Sequence, residues 1–211
     1  MRTVIGMLVL SLAALSSAAL GAERKQLFNG KDLEGWKMTG PGEFKVENGQ
    51  LVTYGGMGLL YYEKEALGDA KLRVVFQTTE GRNNSGVVIR MPEKPSDPWY
   101  GVHNGYEVQI DAGGDEWHRT GAIYSLSKAE GEWQQKPAGE WNVMEIELKG
   151  LETIVSLNGK VVNRFREGQA VPPRQRWYEP VRGPRPAVGY VGLQNHDAKS
   201  KILFREISVE K

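Results

Sequence analysis

Asn142-Val143-Met144-Glu145-Ile146-Glu147-Leu148-Lys149 opens a stretch that continues as Ile154-Val155-Ser156-Leu157-Asn158-Gly159-Lys160-Val161-Val162 and ends at Phe165. In its first half Met144, Ile146 and Leu148 alternate with Val143, Glu145 and Glu147, the period of two expected of a half-buried strand. In its second half Asn158-Gly159 separates two β-rich runs, and both turn positions of a two-residue hairpin need positive φ, which Asn and Gly supply. A second such hairpin is read in Phe44 to Thr53 around Asn48-Gly49. Further strands are expected at Leu72–Thr78, Gly86–Met91, Tyr106–Asp111, Gly121–Leu126, Ala187–Gln194 and Ile202–Val209. No stretch keeps helical spacing over three turns. Many short strands punctuated by Gly, Pro and Asn predict an all-β fold, a β-sandwich with a jelly-roll or lectin-like topology in preference to a closed barrel.

Composition agrees and narrows the function. Of 211 residues, 26 are glycine, 10 proline and none cysteine, which removes thiolate catalysis, thiolate metal sites and disulfides. The 27 basic and 26 acidic side chains leave a formal charge of +1, so no global field draws in nucleic acid. Arg2, the apolar run from Val4 to Leu20 and the small residues up to Ala22 read as a secretory signal peptide, with one domain over 23–211. That predicts a periplasmic or secreted protein without stable membrane insertion after cleavage. Oligomeric state is not legible.

One segment interrupts the strand rhythm. Val171–Pro186 holds five of the ten prolines together with Arg174, Arg176, Trp177, Tyr178, Arg182 and Arg185, and so reads as a long ordered loop at the rim of a site.

Strand alternation sorts the polar residues. In Tyr106–Asp111, Glu107, Gln109 and Asp111 share one face and Tyr106, Val108 and Ile110 the other. The same reading puts Gln194 with His196, and Arg90 with Val88. Arg90, Glu107, Gln109, Asp111, Gln194 and His196 are therefore expected on one donor and acceptor surface suited to hydroxylated ligands. Trp99, Trp117, Trp133 and Trp177 fall in loops, where sugar rings could stack, whereas Trp36 and Trp141 are expected in the core. A divalent ion is a candidate cofactor, held by Glu107, Asp111 and His196 or by the oxygen-rich run Asp111–Glu116. The run Gly55-Gly56-Met57-Gly58 lacks the residues of a phosphate loop and reads as a turn.

Several blocks in order carry a family resemblance: Leu27-Phe28-Asn29-Gly30-Lys31-Asp32-Leu33-Glu34-Gly35-Trp36, Asn84-Ser85-Gly86-Val87-Val88-Ile89-Arg90, Tyr106–Asp111, Thr120-Gly121-Ala122-Ile123-Tyr124, Gly139-Glu140-Trp141-Asn142 and Gly189–His196. Together they resemble the 3-keto-disaccharide hydrolase domain family. The chain departs from it in the Val171–Pro186 insertion and in Asn195 before His196. The resemblance implies a concanavalin-like jelly roll, exported by glycan-degrading bacteria, that cleaves glycosides already oxidised at C3. A C3 ketone acidifies the C2 proton, so a base can abstract it, the enolate is held by a cation or donors, and the C1 substituent leaves before water adds back. His196 or Glu107 is then the candidate base, and Arg90 or a metal the enolate holder. Asp111, Gln109, Gln194, Tyr124, Asn84, Trp177 and Trp117 are expected substrate contacts.

Two other readings compete. One is a non-catalytic carbohydrate-binding module. The other, an ordinary retaining glycanase, needs two carboxyls about 5 Å apart, whereas Glu107 and Asp111 are about 13 Å apart along one strand.

Overall fold

The computed structural model describes residues 23–211, so the signal-peptide reading of residues 1–22 lies outside the described residues. The chain runs through β1 (Lys25–Gln26), β2 (Trp36–Thr39), β3 (Glu43–Glu47), β4 (Gln50–Tyr54), β5 (Gly58–Tyr62), β6 (Ala70–Thr78) and β7 (Asn84–Met91). A short helix, α1 (Tyr100–Asn104), precedes β8 (Tyr106–Asp111), β9 (Asn142–Lys149), β10 (Glu152–Leu157), β11 (Lys160–Arg166), β12 (Tyr190–Asn195) and β13 (Ile202–Glu210).

These strands form two antiparallel sheets. One has the order β11-β10-β9-β6-β13-β4-β3, with β1 against β13, and the other β2-β5-β12-β7-β8. Their facing sides make the core: Leu72, Met144, Ile146 and Phe204 from the first sheet meet Val87, Ile89, Val108 and Leu193 from the second. The jelly-roll sandwich expected from the turn spacing is what the chain adopts.

Both hairpins form as read. Glu47 pairs with Gln50 across Asn48 (φ 50°) and Gly49 (φ 77°), and Leu157 pairs with Lys160 across Asn158 (φ 50°) and Gly159 (φ 85°). Strand β5 escapes the period-two reading because it is buried on both faces. Leu60 and Tyr62 face the main core, while Leu59 and Tyr61 join Val88 and Met91 on the outer side of the small sheet. Helix α1 covers that outer cluster, with Gly101 against Leu59 and Val88, where a methyl group would leave too little room.

Two expectations are corrected. Gly121–Leu126 is not a strand. Ile123 makes only isolated bridges to Val108 and Ser127, because the chain turns at Gly121 (φ 92°) and Ser125 (φ 56°) after hugging the edge of β8. Trp36 is buried and donates its indole N–H to Leu27 O at 2.8 Å, as expected of a core residue. Trp141, by contrast, is only partly buried and lies under the Arg205 guanidinium, 4.5 Å from the ring centre.

Residues 171–186 form a strandless loop in which Arg182 and Arg185 are tied to backbone carbonyls. Arg185 donates to Gly105 O (3.1 Å) and His103 O (2.8 Å), and Arg182 donates to Pro172 O (2.9 Å) and Pro180 O (2.7 Å). These side chains lash the loop to α1 and to itself.

Candidate active site

The outer face of β7, β8 and β12 not covered by α1 forms the floor of a cavity of about 460 Å³. Register builds it. Asn84 stands opposite Asp111, Gly86 opposite both Gln109 and Gln194, and Val88 opposite Glu107. The alternation reading thus places Glu107, Gln109, Asp111 and Gln194 correctly on one face, and all four line the cavity with Asn84, Tyr124 and His196.

Arg90 does not join them. Between Val88 and Met91 the strand gains a residue relative to β12, where Gly192 pairs with Val88 but Tyr190 already pairs with Met91. This bulge, with Arg90 at φ 55°, reverses the alternation. The fully buried guanidinium instead donates to Gly150 O (2.9 Å), Glu152 O (3.1 Å) and Pro186 O (3.1 Å), tying the turn between β9 and β10 to the end of the long loop.

Glu107 sits at the cavity floor and is 4% exposed. Its side chain leans over Gly86, where a Cβ would overlap Oε1 and Cγ of the glutamate. Through that gap it reaches Gln194, whose Nε2 donates to Oε2 at 3.2 Å. The Gln109 amide, assigned with its nitrogen toward acceptors, donates to Oε1 at 2.9 Å and to Ser85 O at 2.8 Å. Burial disfavours the ionised form, and the hydrogen bond from Gln194 only partly opposes it, so the carboxyl is pushed up to about 8. The raised value favours the protonated form of Glu107 near neutral pH, with an O–H to donate.

The walls bring two histidine–carboxylate pairs to the same space. His196 Nδ1 lies 2.7 Å from Asp197 Oδ2, and His118 Nδ1 lies 2.7 Å from Asp115 Oδ1. Burial raises both aspartates, but backbone N–H groups and the histidines outweigh it and hold them below the ordinary carboxylate value. Asp111 moves the other way, raised mainly by burial. Tyr124 is also raised, by burial and by the nearby Glu107.

Two buried acceptors on this floor, Gln194 Oε1 and Asn84 Oδ1, have no partner among the described residues. Unpaired buried acceptors of this kind fit a ligand that brings hydroxyl donors.

Trp99, Met57 and Tyr178 complete the cavity wall together with His118, none of which the strand pattern singles out. They arrive from four separate loops, and loop side chains carry no periodicity. Trp177 stays outside, 65% exposed, with its ring centre 4.9 Å from that of Trp99. Trp117 lines a neighbouring cavity instead.

The residues do not fit the candidate metal set. Among the described residues no three His, Asp or Glu side chains stand close enough to hold an ion. Both Glu107 oxygens face amide donors, and Asp111 Oδ1 and Asp115 Oδ1 accept turn N–H groups from Gly113 (2.7 Å) and Trp117 (2.9 Å).

The sequence pattern of the 3-keto-alpha-glucoside-1,2-lyase-like domain family matches residues 23–210. The chain belongs to that family. None of the curated proteins compared with it matches. Among solved structures, a "putative glycosyl hydrolase" from Parabacteroides distasonis is 27% identical with a TM-score of 0.74, over 90% of this chain and 99% of its own. A second protein of the same description and organism is 24% identical with a TM-score of 0.72, over 89% and 93%. The carbohydrate-binding module CBM66 from Bacillus subtilis shares the fold at 15% identity and a TM-score of 0.56, over 84% and 96%. In this lyase-like domain the family blocks that converge on the cavity are those holding Asn84, Glu107, Tyr124 and Gln194. No helix among the described residues is long and apolar enough to cross a membrane.

Proposed function

We propose that this protein is an exported carbohydrate-active enzyme that cleaves the glycosidic bond of 3-keto-glycosides by elimination followed by hydration. The observation that carries the reading is Glu107: a carboxyl kept neutral near pH 7 at the floor of a polar cavity, beside two unpaired acceptors. A neutral acid in a dry site can donate a hydrogen bond to an oxygen that becomes negative, which is what an enolate requires.

In this scheme the sugar ring lies on the floor, its hydroxyls meeting Gln194 Oε1 and Asn84 Oδ1, with Trp99 and Tyr178 at its flank. Asp197 accepts from Nδ1 of His196, which fixes the tautomer and leaves Nε2 to take the C2 proton. Charge moves to the C3 oxygen, where the Glu107 O–H meets it, and Gln194 and Gln109 hold the carboxyl in place. The enolate collapses and the C1–O bond breaks, water adds as hydroxide to C1 while its other proton makes good the one taken up by the departing oxygen, and the proton on His196 returns to C2. Arg90 takes no part, and no step runs through a metal ion.

The test compares purified protein on a native disaccharide and on its 3-keto form, with product analysis. Turnover of the 3-keto form alone is expected. Binding of the parent sugar without turnover of any 3-keto-glycoside would instead support a carbohydrate-binding module. Export is tested by N-terminal sequencing of secreted or periplasmic material, which should begin near Glu23.

A further inference from the structure

A second cavity of about 260 Å³ adjoins the first, and His118 lines both. The partition is built from consecutive residues on two loops. Trp117 faces the second cavity only, and its neighbour His118 both. Across the partition Tyr178 lines the first cavity and Glu179 the second. The long loop therefore supplies one half of the divide and, through Pro172, Pro173, Gln175 and Arg182, much of the second cavity's wall. Glu179 is 8% exposed and held by Arg182 Nη2 at 3.0 Å and by the Gln175 N–H at 3.0 Å, so the polar lining is fixed in place.

We infer that the second cavity is the leaving-group subsite, that it takes a hydroxylated ring such as a second sugar, and that His118 is the acid that protonates the departing oxygen. The inference rests on the reaction proposed above and extends it to the other side of the scissile bond. If the oxidised ring occupies the larger cavity, the C1–O bond points across the divide, where His118 stands. The mixture of Trp117 and proline surfaces with Gln175, Glu179 and the Ser125 hydroxyl matches a ring with C–H faces and hydroxyl edges better than a purely aromatic aglycone.

The proton ledger closes. With Asp115 accepting from Nδ1, protonated His118 gives its Nε2 proton to the glycosidic oxygen as the C1–O pair departs and His196 takes the C2 proton. Neutral His118 then takes a proton from the incoming water as hydroxide adds to C1, and His196 returns its proton to C2. The net change is one glycoside and one water giving a 3-keto sugar and an alcohol, with both histidines restored. Ser125 Oγ, 3.2 Å from Nε2, holds the ring in position between turnovers.

Three substrates test this: a 3-keto-disaccharide, methyl 3-keto-glucoside and 4-nitrophenyl 3-keto-glucoside, whose nitrophenolate departs without protonation. His118→Gln should lower kcat/KM on the disaccharide by about 10²-fold or more, the usual range for acid catalysis, and on the nitrophenyl substrate by less than about tenfold. Asp115→Asn, an exposed substitution, should show the same dependence on leaving group with a smaller loss, and it carries the readout if His118→Gln melts out. Gln175→Trp, which fills the subsite, should raise KM for the disaccharide relative to the methyl glycoside. Equal losses on all substrates, or an unmoved KM ratio, would overturn the inference while the wild-type turnover still upholds the reaction. Failure of the wild type on all three substrates overturns both.

Discussion

Gln194 and Glu107 meet across an intervening strand: Gln194 on β12 donates to Glu107 on β8 at 3.2 Å, and Gly86 of β7 leaves the space between them. Two strands that do not pair with each other thus share one hydrogen bond on the cavity floor. The glutamate gains burial without an ionic partner, and its chemistry follows from that.

The pH dependence of stability should report this. Glu107 ionises near 4.5 when unfolded and near 8 when folded, so unfolding releases a proton between those values. Its contribution is fully present below the unfolded value and is lost as pH rises through the folded one, by a few kcal/mol in order of magnitude. Thermal melts of wild type and Glu107→Gln should diverge from about pH 5 to about pH 8, with the variant gaining relative stability as pH rises. Parallel profiles would show that Glu107 ionises normally.

His196→Gln should cut turnover of a 3-keto-glycoside by about 10² to 10⁴-fold with little change in the melting temperature, since the side chain is half-exposed. Normal turnover by a folded variant would remove His196 from the reaction.

Arg90→Met should behave in the opposite way. Three carbonyls lose a buried, charged donor, so a loss of about 2–4 kcal/mol in a denaturant titration is expected, with kcat per folded molecule retained. A stable variant with lost kcat would return Arg90 to the reaction.

Gly86→Ala tests the gap. The added methyl group must displace the Glu107 side chain, at about 1–3 kcal/mol if the core resists. Activity should fall, and the pH window of the Glu107 effect should narrow as the carboxyl regains solvent. Unchanged activity and an unchanged window would show that the floor has slack.

What could be read in the sequence depended on whether a rule of local geometry applied. The two Asn-Gly hairpins and the alternation in Tyr106–Asp111 and Tyr190–His196 are dictated by φ and by the pleat, and they led to the sandwich and four floor residues. Arg90 broke the same rule because one added residue in β7 reverses every side chain after it, and nothing in Val88-Ile89-Arg90-Met91 marks that position. Strand β5, apolar on both sides, offered no alternation to read. His118, Trp99 and Tyr178 come from loops that meet only after folding, and the one local hint was the aromatic pair Trp117-His118 beside an Asp- and Gly-rich turn.

The loop between β11 and β12 has a kinetic corollary. Its prolines restrict the unfolded chain, and Arg182 and Arg185 satisfy its own carbonyls, so this side of both cavities is ordered before anything binds. A substrate need not supply ordering entropy to a closing flap. Association should then approach the encounter limit set by the open mouth, and viscosity should slow binding without revealing a separate closure phase in stopped-flow traces.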